Sequence, residues 1–284
     1  MNYDSPSEII ALLESHSIKL KKRWGQNFLI NRGAREKIVD LLQVEEGELI
    51  WEIGSGLGAL TSLLLDRGAS VVAFEIDRGL CGILEKELGS NEQFTLVGGD
   101  FVKEWKKQQK WPEKILGNLP YSTASQIILS MIKERLIPSL SVYTLQKDMV
   151  KRMIAKPGTK DYSSFSVLCQ YAMDVRVHGD LNPGSFFPRP EVVSSVITVT
   201  PRRDLKRAKN EALFFSLVKA LFTSRRKTLR NNLLTERGLR RYKKSLLLKA
   251  VEMEDIYAGI RSEELPVEAF VRIADRIDAL VHEK

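Results

Sequence analysis

The chain has 284 residues, of which 43% are hydrophobic and 28% are charged, and its formal net charge is +8. This composition is too apolar for a disordered chain, and the length is enough for one large domain or two smaller ones. No apolar run approaches a membrane span, the N-terminus lacks a secretion signal, and the two cysteines and three histidines lack metal-like spacing.

We therefore expect a cytoplasmic, monomeric chain that contacts no membrane and whose chemistry uses neither histidine nor a metal.

Between about residues 35 and 147, short apolar runs alternate with helical patterns. The predicted strands lie at 49–53, 70–76, 94–99, 114–118 and 140–146. The predicted helices lie near 58–66, 78–88 and 122–135. Short apolar strands that alternate with helices predict an open, doubly wound parallel sheet, which the β-like runs 175–181 and 192–200 would complete.

Beyond the polar, basic stretch 201–210 the patterns become helical and rich in Leu, Lys and Arg, and they contain no strand candidate. We therefore predict an α/β domain over residues 1–203 and a small all-helical domain over residues 204–284. The first 18 or so residues receive no role.

The net charge is concentrated in one segment. Residues 224–245 hold nine basic residues and one acidic residue, whereas 35 basic and 35 acidic residues balance outside this segment. A solvated helix usually mixes both signs at i,i+4 spacing, so this segment favours contact with phosphate groups, with Arg225, Arg226, Lys227 and Arg230 as candidate RNA contacts. A smaller cluster comprises Lys19, Lys21, Lys22 and Arg23.

A glycine-rich loop follows the first predicted strand. Gly54 and Gly56 allow a tight turn and close approach of a ligand to the backbone, and Glu75 ends the next strand, where it can bind both hydroxyls of a ribose. This pattern predicts a nucleoside-bearing cofactor and also permits a nicotinamide dehydrogenase. Glu52 gives the E-x-G-x-G-x-G form typical of S-adenosylmethionine sites, and Asp100 could bind an adenine amino group or simply begin a helix.

The tetrapeptide Asn118-Leu119-Pro120-Tyr121 ends the fourth predicted strand, at the sheet edge where ligands bind. The Asn118 side-chain oxygen and the Leu119 or Pro120 carbonyl could accept hydrogen bonds from an adenine amine during methylation. Tyr121 could stack on the base after it leaves its helix, and Phe186 could present a second aromatic face. A plain turn and simple aromatic packing are the alternatives.

Together, the sequence resembles the bacterial small-subunit rRNA adenine N6-dimethyltransferases over about residues 20–275. The resemblance rests on these segments and on Lys22–Leu29, 145–147, 186–190 and 225–231. It implies a Rossmann-like, seven-stranded S-adenosylmethionine-dependent methyltransferase sheet with a small C-terminal helical domain. It also implies dimethylation of two adjacent adenosines in a hairpin near the 3′ end of 16S rRNA, within an immature small subunit.

The resemblance assigns roles residue by residue. Asn27 and Leu29 match a segment that closes over the cofactor, and Gly54 and Gly56 match the turn beside its methionine part. Glu75 matches the ligand of its ribose, Asp100 matches the ligand of its adenine, and Asn118 matches a residue that contacts both the cofactor and the target amine. Tyr121 and Phe186 match the base-stacking pair, and Pro120 would hold the backbone of the turn in shape. Two alternatives stay open: a large-subunit rRNA or a DNA adenine methylase, and a non-catalytic RNA-binding assembly factor.

Overall fold

The structure is a computed structural model, and it describes residues 2–20, 26–235 and 237–283. The chain divides into two compact units, Met1–Val150 with Val175–Pro201, and Lys151–Asp174 with Arg202–Lys284. The junction between Pro201 and Arg202 lies two residues from the predicted boundary at 203/204. The helical unit, however, also takes Lys151–Asp174, which the sequence pattern assigned to the α/β domain.

The strands are β1 Phe28–Leu29, β2 Leu49–Ile53, β3 Ser70–Glu75, β4 Phe94–Gly98, β5 Lys114–Asn118, β6 Leu140–Gln146, β7 Met173–Leu181, β8 Phe186–Phe187 and β9 Ser194–Pro201. The helices are α1 Pro6–Ser15, α2 Arg32–Leu42, α3 Ala59–Asp66, α4 Arg78–Leu88, α5 Phe101–Glu104, α6 Ala124–Lys133, α7 Lys147–Met153, α8 Ser164–Ala172, α9 Glu211–Leu221, α10 Leu229–Thr235, α11 Lys244–Glu252 and α12 Val267–His282.

Within the described residues, seven strands form one sheet in the order β4-β3-β2-β5-β6-β9-β7. The pairs β2–β3, β2–β5, β3–β4 and β5–β6 are parallel, and β9 runs antiparallel to β6. The predicted seven-stranded fold is thus confirmed. Because β2, β3, β4 and β5 are parallel, their carboxyl ends lie on the same side of the sheet. The strand order reverses between β2 and β5, which is where an open α/β sheet binds its ligands.

Both faces of the sheet are covered. Successive strand residues point to opposite faces, and Ile50 packs in a cluster with Leu64 of α3 and Val39 of α2. On the other face, the Trp51 and Phe74 rings meet edge to face with centroids 5.2 Å apart, and Phe74 meets Phe101 at 5.0 Å.

The second unit is built from helices. The Tyr171 and Phe214 rings lie 4.2 Å apart and join α8 to α9, while Phe222 stacks on Phe270 of α12 at 5.7 Å. The Tyr162 hydroxyl donates to the Leu265 carbonyl at 2.9 Å. These contacts explain why Lys151–Asp174 belongs to this unit: its aromatic side chains complete the helical core.

Candidate active site

A cavity lies at the carboxyl ends of the parallel strands. Most of the residues predicted from the sequence to form the site line it together: Asn27, Leu29, Gly54, Gly56, Glu75, Asp100, Asn118, Pro120 and Tyr121. They come from the segment around β1 and from the ends of β2, β3, β4 and β5. The sheet topology therefore gathers into one wall residues that are widely separated in sequence.

The glycine loop after β2 turns back on itself. Gly54, Gly56 and Gly58 have φ values of 77°, 60° and 87°, a left-handed conformation that side chains disfavour. A Cβ atom at Gly56 would also lie 3.2 Å from two carbons of the Phe28 ring. Glycine at this position thus lets both the backbone and a neighbouring aromatic ring approach the cavity closely.

Glu75 holds this loop in place. One carboxylate oxygen accepts from the Gly56 N–H, and the other accepts from the Asp77 N–H, each at 2.8 Å. The residue is buried, and burial raises its pKa, although the backbone hydrogen bonds act in the opposite direction. Each oxygen keeps acceptor capacity that a ligand hydroxyl could use.

Asp100 begins α5, and one of its carboxylate oxygens accepts from the Val102 N–H at 3.1 Å. The helix-start role that the sequence left open is therefore present. The residue nonetheless lines the cavity. A carboxylate has two oxygens, so the cap and a ligand contact are compatible.

The orientation of the Asn118 amide follows from its partner. Its Nδ2 donates to the Asn27 carbonyl at 3.0 Å, and a carbonyl oxygen can only accept. The Oδ1 atom therefore remains as the acceptor at the end of β5. This contact also ties the segment before β1 to the strand end.

The turn after Asn118 supplies a second acceptor. The Pro120 carbonyl already accepts from the Thr123 and Ala124 N–H groups, at 3.1 and 2.9 Å. Among the described residues, none donates a hydrogen bond to the Leu119 carbonyl. Of the two carbonyls that the sequence proposed, Leu119 is therefore the one available to a ligand.

The Tyr121 ring is anchored by its hydroxyl, which shares a hydrogen bond with the Ser194 Oγ atom at the start of β9. Burial raises the Tyr121 pKa, while the bond to Ser194 acts in the opposite direction. A neutral, anchored ring beside Asn118 is suited to stacking against a flat ligand.

Phe186 occupies a different environment. It pairs with Leu29 in the two-stranded sheet β1–β8, is 3% exposed and packs in the core cluster that contains Leu29 and Ile38. It does not line the cavity. Stacking on a base would require this side chain to leave the core, so its predicted role is not supported by this arrangement.

Glu52, near the end of β2, also lines the cavity. It is 1% exposed and accepts a hydrogen bond from the Thr61 hydroxyl at 2.5 Å. Burial raises the pKa of Glu52 to about 8, and the negative charge of Glu75 acts in the same direction. The sequence pattern used Glu52 only to define the glycine motif and did not indicate that its carboxyl group is buried.

Comparisons with known proteins agree with this geometry. The family model described as "Ribosomal RNA adenine dimethylase" matches residues 17–278. This chain belongs to that family. "Ribosomal RNA small subunit methyltransferase A" of Treponema denticola is 36% identical to it, and the match covers 98% of this chain and 97% of that protein. The protein of the same name from Treponema pallidum is 38% identical, over 99% of each chain.

A solved structure supports the fold of this rRNA adenine dimethylase family member. The crystal structure of a dimethyladenosine transferase from Plasmodium falciparum superposes with a TM-score of 0.72, covering 86% of this chain and 94% of that chain at 23% identity. At this identity the likeness bears on the fold alone. The methyltransferase fold expected from the sequence is confirmed.

The N-terminal segment of this family member also reaches the cavity. Tyr3 and Ile9 line it, and Ile9 packs in a cluster with Phe28 and Leu57. Asp4 forms an ion pair with Arg35, whose guanidinium donates to the Leu29 carbonyl at 2.8 Å. Sequence reasoning gave these residues no role. The signals for α1 were Ser5 and Pro6 before the apolar run 9–13, a helix start followed by one apolar face.

The predicted RNA contacts of the second unit divide into two kinds. Arg225 pairs with Glu263 at 2.8 Å and donates to the Lys160 carbonyl at 2.6 Å, so it has a structural role. Arg226 and Arg230 are exposed and form no ion pair with the described residues. Lys227 is exposed and reaches the Thr235 hydroxyl at 3.3 Å.

Of the smaller basic cluster, Lys21, Lys22 and Arg23 lie outside the described residues, as do Trp24 and Gly25 of the resemblance. In the part of the chain that is described, no group of three His, Cys, Asp or Glu side chains could hold a metal ion. No helix among residues 2–20, 26–235 and 237–283 is long and apolar enough to cross a membrane.

Proposed function

We propose that this chain transfers methyl groups from S-adenosylmethionine to the N6 amines of two adjacent adenosines in a hairpin near the 3′ end of 16S rRNA, giving N6,N6-dimethyladenosine. Family membership and the names of relatives with 36% and 38% identity support a small-subunit rRNA substrate. The observation that carries the chemistry is the Asn118 side chain, whose NH₂ group is held by Asn27 so that Oδ1 serves as an acceptor.

The cavity fits the proposed cofactor. Gly54 and Gly56 line it with backbone alone, in left-handed conformations that residues with side chains rarely adopt. Gly54 and Gly56 would border its methionine part, Glu75 would accept from its ribose hydroxyls, and Asp100 would accept from its adenine amine. Asn27 and Leu29 would cover it from the segment around β1. When bound, S-adenosylmethionine supplies an electrophilic methyl group.

The chain's own residues make the target amine reactive. The lone pair of an adenine amine is delocalised into the ring, so the amine is a poor nucleophile. Asn118 Oδ1 and the Leu119 carbonyl can accept its two N–H groups, which favours a tetrahedral nitrogen and stabilises the positive charge that develops on it. Tyr121, held by Ser194, stacks on the flipped base. The methylated nitrogen then releases a proton to solvent, so no strong base is required.

The second unit supplies RNA contacts in this proposal. Arg226, Lys227 and Arg230 bind phosphates, which positions the RNA without selecting its sequence. Arg225 contributes mainly by holding the loop at Lys160. We further propose that the chain acts as a monomer in the cytoplasm. Its substrate would be the immature small subunit, because the folded shape of the RNA in that particle can select the site.

A transfer assay with base mapping tests this function. Small subunits from cells that lack the protein are incubated with labelled S-adenosylmethionine, and the modified bases are located by mass spectrometry. We expect dimethyladenosine at adjacent positions near the 3′ end of 16S rRNA, and loss of transfer of 100-fold or more in Asn118→Ala. Asn91→Ala, an exposed asparagine in the loop before β4, is the matched control.

The other outcomes separate the alternatives. Label in large-subunit rRNA would indicate the related methylase activity. Binding to the subunit without transfer would indicate an assembly factor. Full activity of Asn118→Ala would refute the catalytic assignment even if the product were correct.

A further inference from the structure

One aromatic side chain of the second unit is turned toward solvent. Tyr257 is 78% exposed, which exceeds the exposure of every other large hydrophobic side chain in the described part of the chain; Trp111, at 57%, follows it. An isolated exposed apolar residue needs no explanation by itself. Two further features distinguish Tyr257 from an isolated exposed residue: the backbone on which its ring rests and the charged side chains on the neighbouring segment.

Gly259 supports the ring from beneath. A Cβ atom at Gly259 would lie 2.5 Å from two carbons of the Tyr257 ring and 2.6 Å from its hydroxyl oxygen. Any side chain at Gly259 would therefore displace the ring. The Ile260 N–H donates to the Tyr257 carbonyl at 3.2 Å and closes the turn that carries both residues. One side of the ring thus rests on backbone, and much of its remaining surface is open.

Backbone hydrogen bonds join this turn to the basic segment. The Leu229 N–H donates to the Ile260 carbonyl at 2.7 Å, and the Arg230 N–H donates to the Ala258 carbonyl at 2.9 Å. Thr228 and Arg261 form an antiparallel bridge. Tyr257 is therefore carried on a turn that is hydrogen-bonded to the start of α10, which holds Arg230.

Charged side chains of both signs lie around this turn. Residues 252–264 hold five acidic residues and one basic residue, whereas the neighbouring segment 224–231 holds four basic residues and no acidic one. Arg226, Arg230 and Arg261 are exposed, and none of them forms a salt bridge with any side chain in the described ranges. Glu263 is paired with Arg225, and Glu254 is paired with two arginines of α12. Glu264 accepts from the Arg261 backbone N–H at 2.8 Å, and Glu252 lies in the last turn of α11. The acid nearest to Tyr257 in sequence, Asp255, lies two residues before it.

We propose that Tyr257 is a stacking platform for an unpaired RNA base whose flanking phosphates are bound by Arg226 and Arg230. This inference rests on the proposed function, because it takes RNA as the partner. An exposed aromatic ring on a turn that is hydrogen-bonded to the segment carrying Arg226 and Arg230 matches the chemistry of a single-stranded nucleotide, which offers a flat base and a phosphate on each side. A protein contact would favour an apolar surround, and the surround here is charged.

Filter-binding titrations of an unmethylated 16S rRNA transcript, repeated over a series of salt concentrations, test the proposal. Tyr257→Ala should weaken binding about fivefold or more, since stacking of one base contributes about 1–3 kcal/mol. Because no charge is removed, the slope of log affinity against log salt should stay unchanged. Tyr257→Phe should bind like the wild type, whereas Tyr257→Leu should bind like the alanine variant.

Two further variants keep the test sharp. Gly259→Ala should weaken binding because the added methyl group displaces the ring, although Tyr257 itself is retained. Trp111→Ala removes an exposed aromatic ring from the other unit and should leave the affinity unchanged. Wild-type affinity in Tyr257→Ala, or full affinity in Tyr257→Leu, would overturn the proposal.

The source of a failure can be identified. If Tyr257→Ala weakens binding to whole small subunits but not to the transcript, a ribosomal protein is the partner and the RNA platform is wrong. If the wild type transfers methyl groups and Tyr257→Ala has an unchanged KM for RNA, only the present inference fails. If the wild type transfers none, the proposed function fails independently of Tyr257.

Discussion

The proton on Glu52 should make the stability of the α/β unit depend on pH. Its carboxyl group is buried, and burial raises its pKa from 4.5 to about 8. The substitution Glu52→Gln keeps an oxygen that can accept from the Thr61 hydroxyl but removes the titration. The variant therefore resembles the protonated wild type at every pH.

The direction and size of the effect follow from linkage. Between about pH 4.5 and pH 8 the folded chain holds a proton on Glu52 that the unfolded chain has released, so unfolding becomes more favourable as pH rises. The stabilisation is complete below about pH 4.5 and is lost above about pH 8. Each pH unit within this window corresponds to about 1.4 kcal/mol, so from pH 5.5 to 7.5 the wild type should lose about 3 kcal/mol relative to Glu52→Gln.

Urea unfolding curves at several pH values measure this difference, because other titrating groups are common to both proteins and cancel. Glu92→Gln, which removes an exposed carboxylate before β4, is the control for loss of one charge. Parallel stability curves for the wild type and Glu52→Gln would refute the reasoning, since they would mean that Glu52 is ionised in the folded state.

Other substitutions test the remaining features. Gly56→Ala should destabilise the fold by about 1–2 kcal/mol and weaken S-adenosylmethionine binding in calorimetry, because φ is 60° and the methyl group would meet Phe28; undiminished binding would contradict the close approach. Ile9→Ala should lower the free energy of unfolding by about 2 kcal/mol or more, since Ile9 is 1% exposed; a change near zero would mean that α1 is not part of the folded core. Arg226→Gln should reduce the salt slope of RNA binding by about one, with cofactor affinity kept. Arg225→Gln should instead lower thermal stability, because it leaves the Glu263 carboxylate unpaired.

The strands were predictable because their pattern is local. β2, β5 and β6 begin and end at the residues that the sequence indicated, since each is a short, mostly apolar run. The cavity was predictable for a related reason. Once the strands are parallel, topology alone places Gly54, Glu75 and Asn118 at one edge.

The remaining features depend on contacts between distant parts of the chain, which a pattern does not contain. Phe186 belongs to a proline-containing segment whose pattern predicts a loop, yet its pairing with Leu29 buries it. Arg225 looks like one cation of a basic run, and only the fold brings Glu263 to it. The membership of Lys151–Asp174 in the helical unit likewise depends on the packing of Tyr171 against α9.

If Asn118 acts as proposed, its fixed amide also limits how many methyl groups one amine can receive. An adenine amine begins with two N–H groups, keeps one after the first transfer and has none after the second. Because Asn27 holds the Asn118 Nδ2 group, the side chain cannot turn to offer a donor in place of its acceptor. Under the proposed mechanism the finished base therefore leaves Oδ1 and the Leu119 carbonyl unsatisfied, at about 1–3 kcal/mol each. In this mechanism the two acceptors bind the amine only while it carries an N–H group, so the fully methylated base dissociates.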